Sequence, residues 1–415
     1  MARPLNTVAL ANHSTALRVS IVTETFPPEV NGVTLTLGHL IDGLKHRRHR
    51  VTVVRPRQAS VDRLRADPST TIVRGLPVPG YKRMQFGLPG GRLLTRVWEK
   101  QRPDVIYIAT EGPLGWSAMR AAQRLAIPTL SGFHTNFHSY SRYYRLGWLQ
   151  PAVFRYLRYL HNRTSGTLVP NADLKRQLDG QGFRNVAVLG RGVDSDKFGP
   201  RYRSAELRRS WGLDERGVAA VYVGRLAPEK NLHLALETYH AMRQAGGKIR
   251  FVLVGDGPLR TSLQSEHPEL IFCGMKTGEQ LARHYASGDV FLFPSETETF
   301  GNVTLEAMAS GLAVVAYDYA AAREHIVHGA SGLLAPCGDV AAFVQSAVRL
   351  ASEPALIEHL RVRARSRATS LSWSYVVDTF EQHLKRVVRP TPCATKSVQA
   401  LAIDGPLAAL DVGRL

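Results

Sequence analysis

Two glutamates, Glu298 and Glu306, flank a turn in the stretch VFLFPSETETFGNVTLEAMASG. A carboxylate can accept two hydrogen bonds at once, so one could hold the vicinal hydroxyls of a ribose and the other the hydroxyls of a sugar. VFLFP reads as a buried strand, Gly301 as the turn, and Asn302 to Ser310 as a helix that Gly311 ends. Glu298 then lies in the loop at a strand's carboxyl end and Glu306 about one turn into the helix, where ligands bind in open α/β sheets. Free backbone N–H groups at the helix start, from Asn302 on, can face a diphosphate or a sugar. Taken alone, the pair reads better as a solvated loop residue and an exposed helix residue; the surrounding context is what favours a site.

Cations come from YVGRLAPEKN, where Arg225 and Lys230 follow a strand. They could stabilise a diphosphate leaving group, on which charge develops as the sugar departs. Gly255, in VLVGDGPLR, ends another strand in a turn that favours glycine. In the first half, TETFPPEVNGVTLTLGHL places Gly32 at a tight turn into a helix, where a backbone can approach a phosphate. It is not the G-x-G-x-x-G fingerprint, so hydride transfer is unsupported. His134, in SGFHTNFH, stands just past a strand and could position hydroxyls, with His138 a weaker candidate. Asp194-Ser195-Asp196 has the Asp-x-Asp form that binds a metal in some transferases. Its setting, GRGVDSDKF, falls just before the strand pattern lapses, at the expected boundary between the two halves.

Twelve short apolar runs must position these residues. LRVSIVTE, VTVVRP, DVIYIAT, TLSGFH, GTLVPN and VAVLGRG lie in the first half; VAAVYVGR, RFVLVGDG, LIFCG, VFLFPS, AVVAYD and GLLAP lie in the second. Continuous rather than alternating apolar strands imply parallel sheets buried on both faces. Their alternation with helical stretches, twice over, implies two doubly wound α/β domains. The expected division is a loose extension over residues 1–16, a first domain over 17–198, a second over 199–370, a closing helix over 371–388 and a tail over 389–415. The first sixteen residues lack the basic start and apolar stretch of a secretory signal. The tail has Pro390, Pro392 and Pro406 and no clear period, and is expected to be partly disordered.

The formal charge of +19 is uneven: the first 200 residues hold 29 Lys+Arg against 12 Asp+Glu, the rest 24 against 22. A field of this size favours an anionic partner, whether a membrane surface, a nucleic acid or an acidic substrate. YSRYYRLGWLQPAVFRYLRYLHNR interleaves basic and aromatic residues, which suits an anionic bilayer interface, stacking on bases, or a core helix with a solvated face. Cys273, Cys337 and Cys393 are far apart and without metal-ligand spacing, as in a reduced cytosolic protein. No apolar run reaches the ~18 residues needed to cross a bilayer.

From about Leu17 to Val388 the chain resembles the retaining glycosyltransferases of family four, which have the GT-B fold: two Rossmann-like domains facing a central cleft. Glu298 and Glu306 match that family's E-x7-E signature and Phe300-Gly301 its aromatic-glycine pair. The resemblance implies a diphosphate clamp at Arg225 and Lys230, a loop facing the donor diphosphate at Gly32 and a nucleotide-side turn at Gly255. It further implies backbone recognition of the base around Met275 and Lys276, and an active-site histidine at His134. Arg191 departs from the pattern, standing where the family's hinge commonly carries Asn. The expected reaction is transfer of a hexose with retention, with neither cofactor nor metal.

The N-terminal stretch most resembles GDP-mannose-dependent α-mannosyltransferases and related glycolipid enzymes. Mannose from GDP-mannose is therefore the first choice, with UDP-glucose or UDP-sulfoquinovose as alternatives. The expected partners are a nucleotide diphosphate sugar, a lipid acceptor and an anionic membrane surface, with the enzyme peripheral at the membrane's cytoplasmic face. Rival readings are a transferase acting on a soluble acceptor and a basic nucleic-acid-binding protein; the latter leaves the second-half motifs unexplained, so no nucleic acid is expected.

Overall fold

The computed structural model describes residues 16–27, 29, 31–57, 67–78, 81–134 and 150–388. The first half contains β1 (Arg18–Val22), α1 (Gly32–His46), β2 (Arg50–Pro56), β3 (Thr70–Val73), β4 (Gly75–Val78), β5 (Tyr81–Gly87) and α2 (Gly91–Lys100). It continues with β6 (Val105–Ile108), α3 (Pro113–Arg124), β7 (Thr129–Gly132), α4 (Gln150–His161), β8 (Gly166–Val169), α5 (Ala172–Gly180) and β9 (Val186–Val188). Seven of these strands form one sheet in the order β3-β2-β1-β6-β7-β8-β9, and every pairing in it is parallel. β4 and β5 form a separate antiparallel ribbon.

The second half contains α6 (Ala205–Ser210), β10 (Val218–Val223), α7 (Leu232–Ala245), β11 (Ile249–Val254), α8 (Arg260–Glu266), β12 (Ile271–Gly274), α9 (Gly278–Ala286) and β13 (Val290–Phe293). There follow α10 (Asn302–Ala309), β14 (Ala313–Tyr317), α11 (Ala320–His325), β15 (Leu333–Ala335), α12 (Val340–Ser352), α13 (Pro354–Thr369) and α14 (Trp373–Val388). Its parallel sheet has the order β12-β11-β10-β13-β14-β15. All twelve apolar runs of the sequence appear as strands of these two sheets. β3 and the β4–β5 ribbon are additional; Thr70, Thr71 and Ile72 of β3 are half-buried, and Leu76 and Pro77 of β4 are exposed.

The strands carry apolar residues on both faces because each sheet is covered on both. In the first sheet, Leu37, Leu40, Ile41 and Leu44 of α1 pack on one face, and Leu94, Trp98, Ala118 and Ala122 of α2 and α3 on the other. α14 also lies on the first sheet, placing Val376, Val377, Phe380 and Leu384 beside α1. A Cβ on Gly43 would come 2.7 Å from a methyl of Val377, so glycine lets the two helices touch. Polar pairs fix this contact: Arg47 reaches Asp378 at 2.6 Å, and Glu381 meets His49 at 3.1 Å. The polar segment after residue 200 is anchored rather than loose. Arg203 and Arg208 each reach Asp289 at 2.7 Å, and Asp289 also accepts the Ala219 N–H at 2.8 Å.

Among the described residues no single helix is long and apolar enough to cross a membrane. Cys273 and Cys337 are free thiols; Cys393, His138 and the residues from Tyr140 to Trp148 lie outside the described residues.

Candidate active site in the cleft

The strand ends of both sheets meet at the segment from Ser295 to Asn302. β13 ends at Phe293, and Gly301 turns the chain with a φ of 94°, a left-handed conformation in which glycine is least strained. α10 begins at Asn302 with no side-chain cap, leaving its first N–H groups unspent by one. The segment reaches the first half at three points. Asn171 donates through Nδ2 to the Thr299 carbonyl at 2.9 Å while its Oδ1 caps α5 at the Leu174 N–H. The Arg191 guanidinium lies 6.0 Å from the centre of the Phe300 ring. Gly32, the first residue of α1, faces Asn302, whose Nδ2 would be 3.5 Å from a Cβ on the glycine.

Glu298 is paired with Lys230 and accepts the Ser295 hydroxyl at 2.7 Å. Lys230 closes a short 3-10 turn, Pro228–Lys230, that follows β10. Arg225, at the start of the same loop, is paired with Glu229. The loop is fixed on the Glu298 segment by Thr297, whose hydroxyl donates to the Glu229 carbonyl at 3.1 Å. Beneath it the Tyr222 hydroxyl donates to the Arg225 carbonyl at 3.0 Å. Burial, then the negative charges of Glu298 and Glu229, hold that phenol well above its usual range. Two cations and two carboxylates therefore share one wall of the cleft.

Glu306 sits on α10, half-buried, and accepts the Tyr285 hydroxyl at 2.9 Å. Burial raises its carboxyl above the ordinary value, opposed by the Tyr285 hydrogen bond and by Lys197. Gly255 has a φ of 147° and takes the Gly274 carbonyl at 3.0 Å. Any Cβ there would collide with the Gly224 carbonyl, so close backbone packing explains this glycine. Met275 and Lys276 follow β12, the edge strand of the second sheet; Met275 is 58% exposed. No described contact joins them to the Glu298 wall.

His134 lies just past β7, almost wholly buried. Arg191 Nη2 is 2.7 Å from its Nδ1 and the Tyr107 hydroxyl is 2.8 Å from its Nε2. A guanidinium only donates, so Nδ1 must accept and Nε2 carries the proton. Burial, then the Arg191 charge, pushes the imidazole well below its usual pKa, in keeping with a neutral ring. With both ring nitrogens occupied, its carbon edge is what remains for a ligand in this state.

Asp194 uses one carboxylate oxygen to accept the N–H groups of Asp196 at 3.0 Å and Lys197 at 2.9 Å, closing the hinge turn. The basic and aromatic stretch is described only over α4 and the residues after it. There Phe154 packs on Phe183, Trp116 packs on both Tyr156 and Tyr159, and Leu157 and Leu160 are core. Arg155 and Arg158 are exposed. Phe154 and Tyr156 are thus half-buried against the fold, whereas Tyr159 stays 39% exposed.

Sequence reasoning did not single out Tyr285, Tyr222, Asn171 or Glu24. Tyr285 and Tyr222 lie among fully buried apolar residues, and the Tyr285 hydroxyl finds its partner, Glu306, 21 positions on, beyond any local pattern. Glu24, just after β1, accepts the Leu114 N–H at 2.9 Å and so caps α3, whose own N-cap, Gly112, has no side chain. Burial raises the Glu24 carboxyl to about 7, with Glu111 adding to the rise.

Comparison with known proteins agrees with this architecture. Residues 30–197 match the model described as Glycosyltransferase Family 4, and residues 217–353 the one described as Glycosyl transferases group 1. A GDP-mannose-dependent alpha-mannosyltransferase of Mycobacterium tuberculosis is 35% identical, the match covering 89% of this chain and 97% of the relative. A sulfoquinovosyl transferase of Arabidopsis thaliana is 32% identical over 72% of this chain and 60% of its own length. Among solved structures, Anabaena HepE in complex with UDP superposes with a TM-score of 0.71 at 18% identity, covering 89% of this chain and all of that one. Sucrose-phosphate synthase from Thermosynechococcus elongatus gives 0.69 at 18% identity, covering 89% and 98%. With both family models matched in order along two facing parallel sheets, the chain belongs to the family 4 glycosyltransferases and is a nucleotide-sugar-dependent glycosyltransferase of GT-B fold.

Proposed function

We propose that the enzyme transfers a hexose, mannose from GDP-mannose in the first instance, with retention onto a lipid acceptor at a membrane surface. The Lys230–Glu298 pair carries this reading. It puts a cation for the diphosphate and a carboxylate for the sugar within contact of each other at the end of β13. The similarity to GDP-mannose-dependent alpha-mannosyltransferases supports the choice of donor. Relatives named as an alpha-monoglucosyldiacylglycerol synthase and a phosphatidylinositol monomannoside mannosyltransferase support a lipid acceptor.

In this reading Glu306 holds the ribose, Arg225 and Lys230 take the diphosphate, and Glu298 orients the sugar hydroxyls. The N–H groups after Gly301, at Asn302 and beyond, and the Gly32 backbone face the diphosphate across the cleft, Gly255 keeps the nucleotide-side turn close, and Met275 and Lys276 hold the base. His134 and Phe300 line the space between sugar and hinge. The acceptor hydroxyl oxygen bonds to the anomeric carbon as that carbon's bond to the diphosphate breaks. The hydroxyl proton passes to the departing diphosphate oxygen on the same face, which gives the α-linkage. Arg225 and Lys230 meet the charge that develops, a role that a metal fills in other transferases; we propose that none is needed here.

Labelled GDP-mannose, UDP-glucose and UDP-sulfoquinovose incubated with the enzyme and a lipid extract test the reading. Mannosyl-lipid is expected, and transfer to no lipid from any donor refutes it. A soluble acceptor is the second reading, favoured by the half-burial of Phe154 against Phe183 and of Tyr156 against Trp116. Flotation with anionic vesicles separates the two: salt-sensitive binding is expected of the lipid enzyme.

A further inference from the structure

Arg191 is a buried cation with no carboxylate paired to it among the described residues. Nη1 donates to the Leu189 carbonyl at 2.9 Å and the Gly190 carbonyl at 3.1 Å, and Nη2 to His134 at 2.7 Å. A guanidinium has five N–H groups, so two remain uncommitted. Among the described residues no carboxylate is paired with it, and its neighbour His134 is neutral. The side chain is only 7% exposed. The other large buried arginine of the hinge region, Arg208, shows what such a group ordinarily needs: it sits 2.7 Å from Asp289. Withdrawing a charge from water without a partner is unfavourable. Here burial lowers the Arg191 pKa to about 10, which still leaves it cationic at neutral pH.

Its position indicates what the missing anion is. The guanidinium stands between His134, at a strand end of the first sheet, and Phe300, in the loop between Glu298 and the start of α10. Phe300 is held rigidly: its carbonyl accepts the Ala321 N–H at 2.8 Å and its ring meets His325 edge-on at 5.8 Å. The two cations across the cleft, Arg225 and Lys230, already face Glu229 and Glu298 in this state. We infer that Arg191 is a third cationic contact for the diphosphate of the sugar nucleotide, its counter-charge supplied by a phosphate oxygen when the donor enters from the Phe300 side. The inference rests on the donor reading above. It gives the arginine at this hinge position a task that the asparagine common there could not perform, since an amide carries no charge.

Isothermal titration of the full chain with GDP, GMP and guanosine, and with the matching uridine series, tests it. Wild type is compared with Arg191→Gln and Arg191→Lys, each first checked by circular dichroism. For Arg191→Gln the affinity for the diphosphate should fall about 10- to 100-fold while that for the nucleoside stays within about threefold. Arg191→Lys should lose less, and should shift the ³¹P resonances of the bound diphosphate. If Arg191→Gln does not fold, Arg191→Lys decides by the same comparison and by those resonances. An equal loss for diphosphate and nucleoside means a hinge role and overturns the inference. Unchanged diphosphate affinity with a raised KM for the acceptor assigns the residue to the acceptor and also overturns it. A wild type that binds neither GDP nor UDP refutes the donor reading and this inference together, whereas normal wild-type binding that both variants retain refutes this inference alone.

Discussion

Replacing Glu306 by alanine tests the ribose assignment most directly. Its carboxylate offers about four lone-pair sites, of which the Tyr285 hydroxyl takes one, so two vicinal hydroxyls can still be accepted. Hydrogen bonds to a charged group contribute about 1.5–3 kcal/mol each, and two on one carboxylate are not additive, so a loss of about 2–4 kcal/mol is expected. That is about 30- to 700-fold in nucleotide affinity. Removing the carboxylate also leaves the buried Tyr285 hydroxyl without its acceptor, so a stability loss of about 1–3 kcal/mol in the unliganded variant is expected and is measured alongside. The assay is titration with GDP and with 2′,3′-dideoxy-GDP. In wild type the dideoxy ligand should bind far more weakly; in Glu306→Ala the two should bind alike. A variant that still discriminates between them by the wild-type factor refutes the assignment, whatever its absolute affinity.

Four further outcomes follow from other contacts. Lys230→Met should reduce turnover about 10²- to 10³-fold in a donor-saturated assay, as loss of one electrostatic contact to the leaving group does. Asp289→Ala strips the buried Arg208 and the nearby Arg203 of their shared partner and should lower unfolding stability by about 3–5 kcal/mol in a urea melt. Asn171→Ala removes both the α5 cap and the bond to the Thr299 carbonyl; a loss of about 1–3 kcal/mol is expected by thermal denaturation. Glu24 has its carboxyl raised to about 7, so the native state binds more protons than the unfolded chain between its ordinary value and that pH. Its contribution therefore weakens as pH rises through this window, and Glu24→Gln should be about 1–3 kcal/mol more stable than wild type at pH 8, with the gain vanishing near pH 5.

Much of the fold was legible because its signals are local. Runs such as VFLFP and RFVLVG are apolar at successive positions, which only a sheet covered on both faces accommodates, and each is bounded by glycine, proline or asparagine. Glu298 and Glu306 could be placed on a loop and a helix for the same reason, since Gly301 and Gly311 mark the helix ends. β3 and the β4–β5 ribbon were not legible. β3 is half threonine, β4 is interrupted by proline and β5 by lysine, arginine and glutamine, so no apolar run announces them. The basic and aromatic stretch shows the converse failure: its composition suited a membrane, a nucleic acid or a core, and only the contacts of Phe154, Tyr156 and Tyr159 reveal how much of it is packed.

The two parallel sheets, the loops that end their strands and the residue types those loops present were readable from the chain alone, because apolar runs, turn residues and helix caps act within a few positions of one another. Which of those residues meet is a matter of three-dimensional packing. Lys230 contacts Glu298 across 68 positions, Asn171 the Thr299 carbonyl across 128, and Arg191 His134 across 57. Such pairings are set by strand order and by the approach of the two sheets. The same approach buries Arg191 with no carboxylate paired to it among the described residues, a fact about charge and burial that no local pattern could carry.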